Sequence, residues 1–503
     1  MRIPFPVRVS LLYVTCFAVV LFVVQIAEGT SPVFAIFSLL FVMLSGVTFN
    51  IAGGFSTSTG FYVSSYAILA VILGITWKAV LGEPGNSNLS QPELTMKVYA
   101  GSMAAMLVAV AVSRKITVKK PLLGSLITDA NMQGAVAGSL LTGVVLTVYI
   151  MLAGQRTAGS AVAILAQLNG FLPLAIILGT LYEIRRSGGT RSVNLAGMIA
   201  MVAVTAQGVI SFSKAGMFAG PLCWIIVVSS QGYRLSRAQV MGLIFAVYLA
   251  GHYMVPFSQF GRNYGEPTIA GRIDAAVDLL GRLGEVREQV QAQAQDDERS
   301  KYFNTSQGIM DRLQMIFPDD GLIDITEQRG AIGIFPLIMG VENLVPHAIW
   351  PDKPIPRFGN YYAHEMGGLA DDDDTTGISF SPTGEAYHIA GWIGIFVWAP
   401  LLWIMLFTVF DSLCGDPRVH PWGLLMASFY VHMAPEGMLQ SIIHAVGFTS
   451  IVMAGSAVVT AYLMPVIGAL ISSSRRSTLL RTGLVRGTFR QGPNPLTQQG
   501  VGQ

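Results

Sequence analysis

The run AGWIGIFVWAPLLWIMLFTVF, residues 390–410, contains no charged side chain. A bilayer core takes about 20 consecutive apolar residues per helix, so this run reads as a transmembrane helix. Outward from it, comparable runs fall near 10–27, 32–52, 60–80, 98–113, 134–153, 160–183, 193–211, 215–232 and 238–256, then near 421–440 and 445–470. The expectation is an all-α, polytopic integral membrane protein of about twelve spans. Composition points the same way. Hydrophobic residues make up 52% and charged residues 12%, with mean hydropathy +0.56, whereas soluble domains are about 25% charged.

The segment immediately before this run is different. Residues 257–389 hold 10 of the 31 Lys+Arg and 21 of the 29 Asp+Glu. The chain therefore divides into a first membrane part (1–256, about nine spans), a large charged loop (257–389), a second membrane part (390–470, about three spans) and a basic tail (471–503). With the N-terminus inside, 17 basic residues fall in cytoplasmic segments and only Lys78, Lys97, Arg156 and Lys214 in the short outer loops. The positive-inside bias thus predicts cytoplasmic termini and an outer, periplasmic large loop. The first span is read as an uncleaved helix, because Ile26-Ala27-Glu28-Gly29 makes a poor signal cleavage site. Cys16 and Cys223 fall within spans and Cys414 at a cytoplasmic loop, so no disulfide framework holds the outer loop. The tail reads as a disordered, lipid-facing anchor. A net charge of +2 gives no case for a nucleic-acid partner.

Inside the loop, Phe257-Ser258-Gln259-Phe260-Gly261-Arg262-Asn263-Tyr264-Gly265 reads as a turn-rich exit from the membrane. Apolar residues at three- and four-residue steps, Ile273 to Val290, predict a helix over 272–299 with a polar, solvated far end at 289–298. A second helical segment is predicted over 322–345. Its apolar centre, 331–339, is too short to span and either lies on the bilayer or dips into it. Pro346-His347-Ala348-Ile349-Trp350-Pro351-Asp352-Lys353-Pro354 excludes helix and central strand. Tyr361-Tyr362, four aspartates at 371–374 and Ser381-Pro382-Thr383-Gly384-Glu385-Ala386-Tyr387-His388 lead into the next span.

These two motifs, with Gly391 and Gly394, resemble the loop of oligosaccharide repeat-unit polymerases, the O-antigen polymerase (Wzy-type) family of bacterial envelopes. Ser213-Lys214-Ala215-Gly216 is similar to a short motif of that group, in which arginine often stands where Lys214 is. The resemblance covers the topology and about forty residues of motif. It implies a GT-C-like membrane glycosyltransferase in the bacterial inner membrane. The implied reaction joins polyprenyl-diphosphate-linked repeat units at the outer face by inverting displacement, without metal or cofactor. The implied partners are the lipid-linked oligosaccharides, the bilayer, a chain-length regulator and a flippase. A ligase that transfers the glycan to another acceptor, and a lipid-linked oligosaccharide flippase or other transporter, are the alternatives. Transporter halves commonly repeat, and no repeat is evident here.

A diphosphate leaving group calls for fixed cations at the membrane surface. The candidates are Lys214, Arg262, Arg329, Lys353 and Arg357. The plainer readings are interface snorkelling for Lys214, a span anchor for Arg262, a helix-surface ion pair for Arg329 and a solvated turn for Lys353. The acceptor hydroxyl calls for a base, and Glu385 and His388 lie three residues apart at a span entry. Against that, Glu385 suits a helix N-terminus and His388 a bond to a backbone carbonyl. Glu436 and His444, near the last outer connection, are secondary candidates. Trp350, Tyr361, Tyr362 and Tyr387 offer faces to sugar rings or to the interface. The aspartates at 371–374 read as a solvated loop, since consecutive carboxylates seldom converge on one ion.

Overall fold

The computed structural model describes residues 2–124, 126–153, 160–262, 264, 268–296, 315–346, 349–350, 352–354, 357–374 and 376–481. The described residues are mostly helical. The first membrane part comprises α1 (Leu11–Ala27), α2 (Pro32–Ala52), α3 (Ser58–Ala67), α4 (Leu73–Leu81), α5 (Pro92–Ile116), α6 (Asp129–Leu152), α7 (Ala161–Leu168), α8 (Phe171–Arg186), α9 (Leu195–Ile210), α10 (Lys214–Ser230), α11 (Arg237–Leu249) and α12 (Val255–Arg262). The loop contributes α13 (Ile269–Gly281), α14 (Leu283–Asp296), α15 (Ile316–Arg329), α16 (Phe335–Glu342) and α17 (Phe358–Glu365). The last part holds α18 (Pro382–Ile393), α19 (Ala399–Cys414), α20 (Trp422–Glu436), α21 (Leu439–His444) and α22 (Ser450–Arg481). Single π-turns weld α3 to α4, α11 to α12, α18 to α19 and α21 to α22.

Among the described residues, eight helical stretches are long and apolar enough to cross a membrane, and α1, α9 and α10 are shorter apolar helices. The chain is thus an all-α protein of multi-pass membrane character. The core lies between α2, α3, α5, α19 and α20, where Phe41, Tyr62, Tyr66, Tyr99, Trp403, Phe407 and Tyr430 are buried. Close backbone approach needs small residues. A Cβ at Gly138 would lie 2.1 Å from the Met464 carbonyl oxygen, so glycine is what lets α6 seat against α22.

The bundle has two chemically distinct ends. At one, β1 (Ile3–Pro4) pairs antiparallel with β2 (Arg234–Leu235), and Arg185 bonds Asp129 and the carbonyls of Arg418 and Val419. At the other, the start of α5 meets α15 and α18.

Several local expectations change. Residues 255–262 are helical rather than turns, because nothing between Phe257 and Arg262 breaks the helix arriving from α11. The helix predicted over 272–299 is two, α13 and α14, divided at Arg282 (φ −132°, ψ 37°). Within it Val286 and Val290 are buried, while residues 297–299 lie outside the described ones. The segment 322–345 is likewise split, with Gly330 (φ 86°) and Gly333 (φ 84°) turning the chain between α15 and α16. The span expected from 390 begins eight residues earlier, at Pro382. Cys414 is the buried last residue of α19 rather than a loop residue. The tail expected to be disordered is helical as far as Arg481, because α22 continues into it; its remainder, and His347, Ala348 and Pro351 of the proline-rich motif, fall outside the described residues.

Candidate active site around the helix Pro382–Ile389

Proline at the first position and serine at the cap favour a helix start at Pro382; Ser381 Oγ accepts from Thr383 N and Gly384 N at 3.1 and 3.2 Å. Every residue from Ser381 to Ile389 is buried. Its polar side chains radiate into five other helices. Ser381 donates through N (3.0 Å) and Oγ to Asp319 of α15, and Tyr99 Oη of α5 donates to the same carboxylate at 2.5 Å. Thr383 bonds Ser102 of α5 at 2.5 Å and Tyr66 of α3. Glu385 accepts from Tyr362 Oη of α17 at 3.0 Å and from Leu439 N at the start of α21. Tyr387 donates to Glu327 at 2.7 Å. His388 is held at Nδ1 by Thr326 (2.8 Å) and at Nε2 by Glu365 (3.2 Å), with the Tyr362 ring edge-on at 5.1 Å.

The glycines explain the shape. A Cβ at Gly384 would sit 2.3 Å from Asp319 Oδ1, and one at Gly394 1.7 Å from the Ala386 carbonyl oxygen. Between them the helix breaks at Ala390 (φ −153°, ψ 23°) and Gly391 (φ 57°, ψ −136°). The carbonyls released there are not left bare, which matters inside an apolar span. Ile332 N and Gly333 N donate to His388 O and Ile389 O, each at 3.0 Å. The segment 330–333, turned at its two glycines, thereby joins the loop to the break, and α16 then runs alongside α21.

Burial sets the electrostatics of the loop groups. Asp319 is fully buried, and its carboxyl is pushed up to about 7 by that burial, against the pull of its bonds from Ser381 and Tyr99. Burial also raises Asp320, which accepts from Ser90 N (2.5 Å), Gln91 N (3.0 Å) and Thr95 Oγ1 (2.7 Å). Burial, then the neighbouring Glu385 charge, raises Tyr362.

The residues singled out in the sequence separate into groups. Glu385, His388, Tyr362 and Tyr387 come together in the network just described. Arg329 and Tyr361 are exposed beside it: Arg329 reaches Glu365 O at 3.5 Å, and the Tyr361 ring contacts Tyr362 and Phe335. Lys353 is not in a solvated turn. It is 8% exposed, its Nζ donates to Asn343 O (2.8 Å) and Val345 O (2.6 Å) at the end of α16, and burial lowers its pKa. Arg357 is exposed and bonds Asp374 O at 2.8 Å. Trp350 is exposed. Glu436 pairs with His432 at 3.3 Å within α20, and His444 packs on Phe448.

Lys214 and Arg262 belong elsewhere. Lys214 opens α10 next to its cap Ser213. Arg262 Nε and Ser258 Oγ donate to Phe212 O at 3.3 and 2.6 Å, holding a turn in which Phe212 has φ 49°. Phe212 packs in a separate cluster with Phe257, Ala275, Ala276 and Leu279. At 371–374, Asn360 and Arg357 bind backbone carbonyls of Asp373 and Asp374, and Asp371, Asp372 and Asp374 are exposed.

Sequence reasoning missed Asp319, Asp320, Thr326 and Glu365. One signal was available, since Thr95, Tyr99 and Ser102 share a face of α5 at helical spacing, an array of hydroxyls that needs acceptors.

An apolar groove of about 390 Å³ lies beside this network, between α16, the π-turn after α18, α19 and α21. Ile334, Leu337, Ile338, Trp398, Leu402 and Ile443 are among its lining residues. Its loop-side edge, Ile334, directly follows the segment bonded to His388 O and Ile389 O. Comparison with protein-family models, with curated proteins and with solved structures returned no match to this chain.

Proposed function

We propose that this protein is a membrane glycosyltransferase that polymerises polyprenyl-diphosphate-linked oligosaccharide repeat units. In this reading the chain crosses a bacterial inner membrane twelve times in a GT-C-like arrangement. The four beyond the eight long stretches are α1, α9, α10 and α20. The end bearing Arg2, Arg185, Arg234 and Arg418 is cytoplasmic, following the positive-inside rule.

The observation that carries the proposal is that the segment bonded to His388 O and Ile389 O leads directly into Ile334 at the edge of the wholly apolar groove. A substrate with a long isoprenoid tail and a diphosphate-sugar head needs an apolar part and a polar part, in continuity. The groove supplies the apolar part. Arg329 and Glu365, the latter bonded by the buried His388, supply the polar part, and exposed Tyr361 offers a face for a sugar ring. The acceptor hydroxyl oxygen attacks the anomeric carbon while the bond to the diphosphate oxygen breaks. The electron pair leaves with polyprenyl diphosphate, and the hydroxyl proton passes to the Glu365 carboxylate, which the buried His388 holds in place. Arg329 meets the charge on the leaving diphosphate. Glu385, enclosed by Tyr362 and Leu439 N, acts as a positioning residue.

The test is purified full-length protein in lipid nanodiscs, given synthetic polyprenyl-diphosphate repeat units. A ladder of longer glycans is expected, and its absence overturns the proposal. Arg329→Ala and His388→Ala are expected to abolish the ladder while thermal unfolding still shows a folded protein. A normal ladder from both would move the site elsewhere.

A further inference from the structure

A second cavity, of about 280 Å³, lies between the ends of α6 and α9 and the start of α13. Its apolar wall is Ile150 and Met151 at the end of α6, with Ile210 of α9 and Ile269 of α13; its polar side is Gln207, Ser211 and Arg272. These are the last turns of two apolar helices and the first turn of α13, so the cavity lies where the apolar exterior ends.

Helix α13 has two apolar faces. Ala275, Ala276 and Leu279 are buried with Phe212 and Phe257. Ile273, Val277 and Leu280, at steps of four and three, are exposed, and a stripe so spaced lies along one side of a helix. Next to this helix, α6 presents an exposed apolar face that runs through Val145, Val148 and Tyr149 to Leu152. Arg272 and Arg282 flank the two ends of the α13 stripe, and Arg282 bonds Asp278 and Tyr264.

We propose that α13 lies in the plane of the bilayer edge, and that the cavity beside it binds the headgroup of an anionic phospholipid. The occupant is lipid because the cavity borders α6, a candidate span with an exposed apolar face, and α13 carries an exposed apolar stripe of its own. The headgroup is anionic because the polar side of the cavity offers a guanidinium and an amide, a donor set suited to phosphate oxygens. The acyl chains would then run down the α6 face from Leu152 towards Val145.

The experiment uses full-length protein in nanodiscs containing photoactivatable phosphatidylglycerol or phosphatidylcholine. Phosphatidylglycerol is expected to label peptides covering 207–211 or 269–272, and Arg272→Ala to lower that labelling about tenfold, the size expected for losing a charge-assisted contact. Val277→Ser, which leaves the cavity lining intact, is expected to lower it less. Equal labelling by phosphatidylcholine, or undiminished labelling of a folded Arg272→Ala protein, overturns the proposal. So does complete displacement by millimolar inorganic phosphate, which would mark a free-anion site. A stripe that crosslinks to a second protein instead of lipid overturns it as well.

Discussion

Residues 269–296 and 315–381 belong to one charge-rich insertion, yet Asp274 and Asp278 in the first and Asp319 and Asp320 in the second meet opposite surroundings. In the first half, Asp274 and Asp278 are exposed, Asp278 pairs with Arg282 at 2.6 Å, and Arg287 donates to His252 at 2.6 Å. That half is attached mainly by apolar packing on Phe212 and Phe257. In the second half, Asp319 and Asp320 are buried, as is Glu385 in the helix that follows. Their partners are hydroxyl and backbone N–H groups drawn from α5, α17, α18 and α21. The same formal charge therefore marks a wet surface at Asp274, Asp278 and Asp371–Asp372, and a buried hydrogen-bond network at Asp319 and Asp320. A buried network is costly to disturb, because each member left unpaired keeps its full desolvation cost.

The comparison can be broken experimentally, and the largest expected effect is at Asp319. Asp319→Ala leaves Tyr99 Oη, Ser381 Oγ and Ser381 N without their acceptor, and should cost about 3–5 kcal/mol of stability. A fall in thermal midpoint no greater than that of a surface variant would mean the network is not what holds the second half.

A pH dependence of intermediate size sharpens the contrast. Asp319 holds its proton in the folded protein up to about pH 7, whereas an unfolded aspartate loses it near pH 4. Between those values the folded state binds the extra proton, so stability is highest at the acidic end and falls as pH rises towards 7. Asp319→Asn should flatten this slope in midpoints measured from pH 4.5 to 7.5, and Asp320, raised in the same direction, should leave a remainder. A slope that survives Asp319→Asn in full would remove this carboxyl as its source.

The smallest effect belongs to the first half. Asp278→Ala removes an exposed pair with Arg282, and such pairs contribute about 0–1 kcal/mol. A midpoint change as large as that of Asp319→Ala would erase the distinction between the halves.

The helices of the membrane parts were legible because apolar length is a local property, written residue by residue. The motif from Ser381 to His388 was also legible as unusual, and its residues meet in one place. What those residues touch was not legible. Tyr99 reaches Asp319 across 220 positions and Ser102 reaches Thr383 across 281, and nothing in local spacing encodes such pairings. Lys353 shows the same limit, since a lysine between prolines reads as solvated until α16 presents it with two carbonyls.

By itself, then, the sequence determined that this is a helical chain of membrane character with a charge-rich insertion, because apolar run length and charge are local quantities. Only the tertiary structure decided which charges are buried, where the span broken at Ala390–Gly391 begins, and which side chains share a site. Those outcomes depend on burial and on hydrogen-bond partners that arrive from distant parts of the chain.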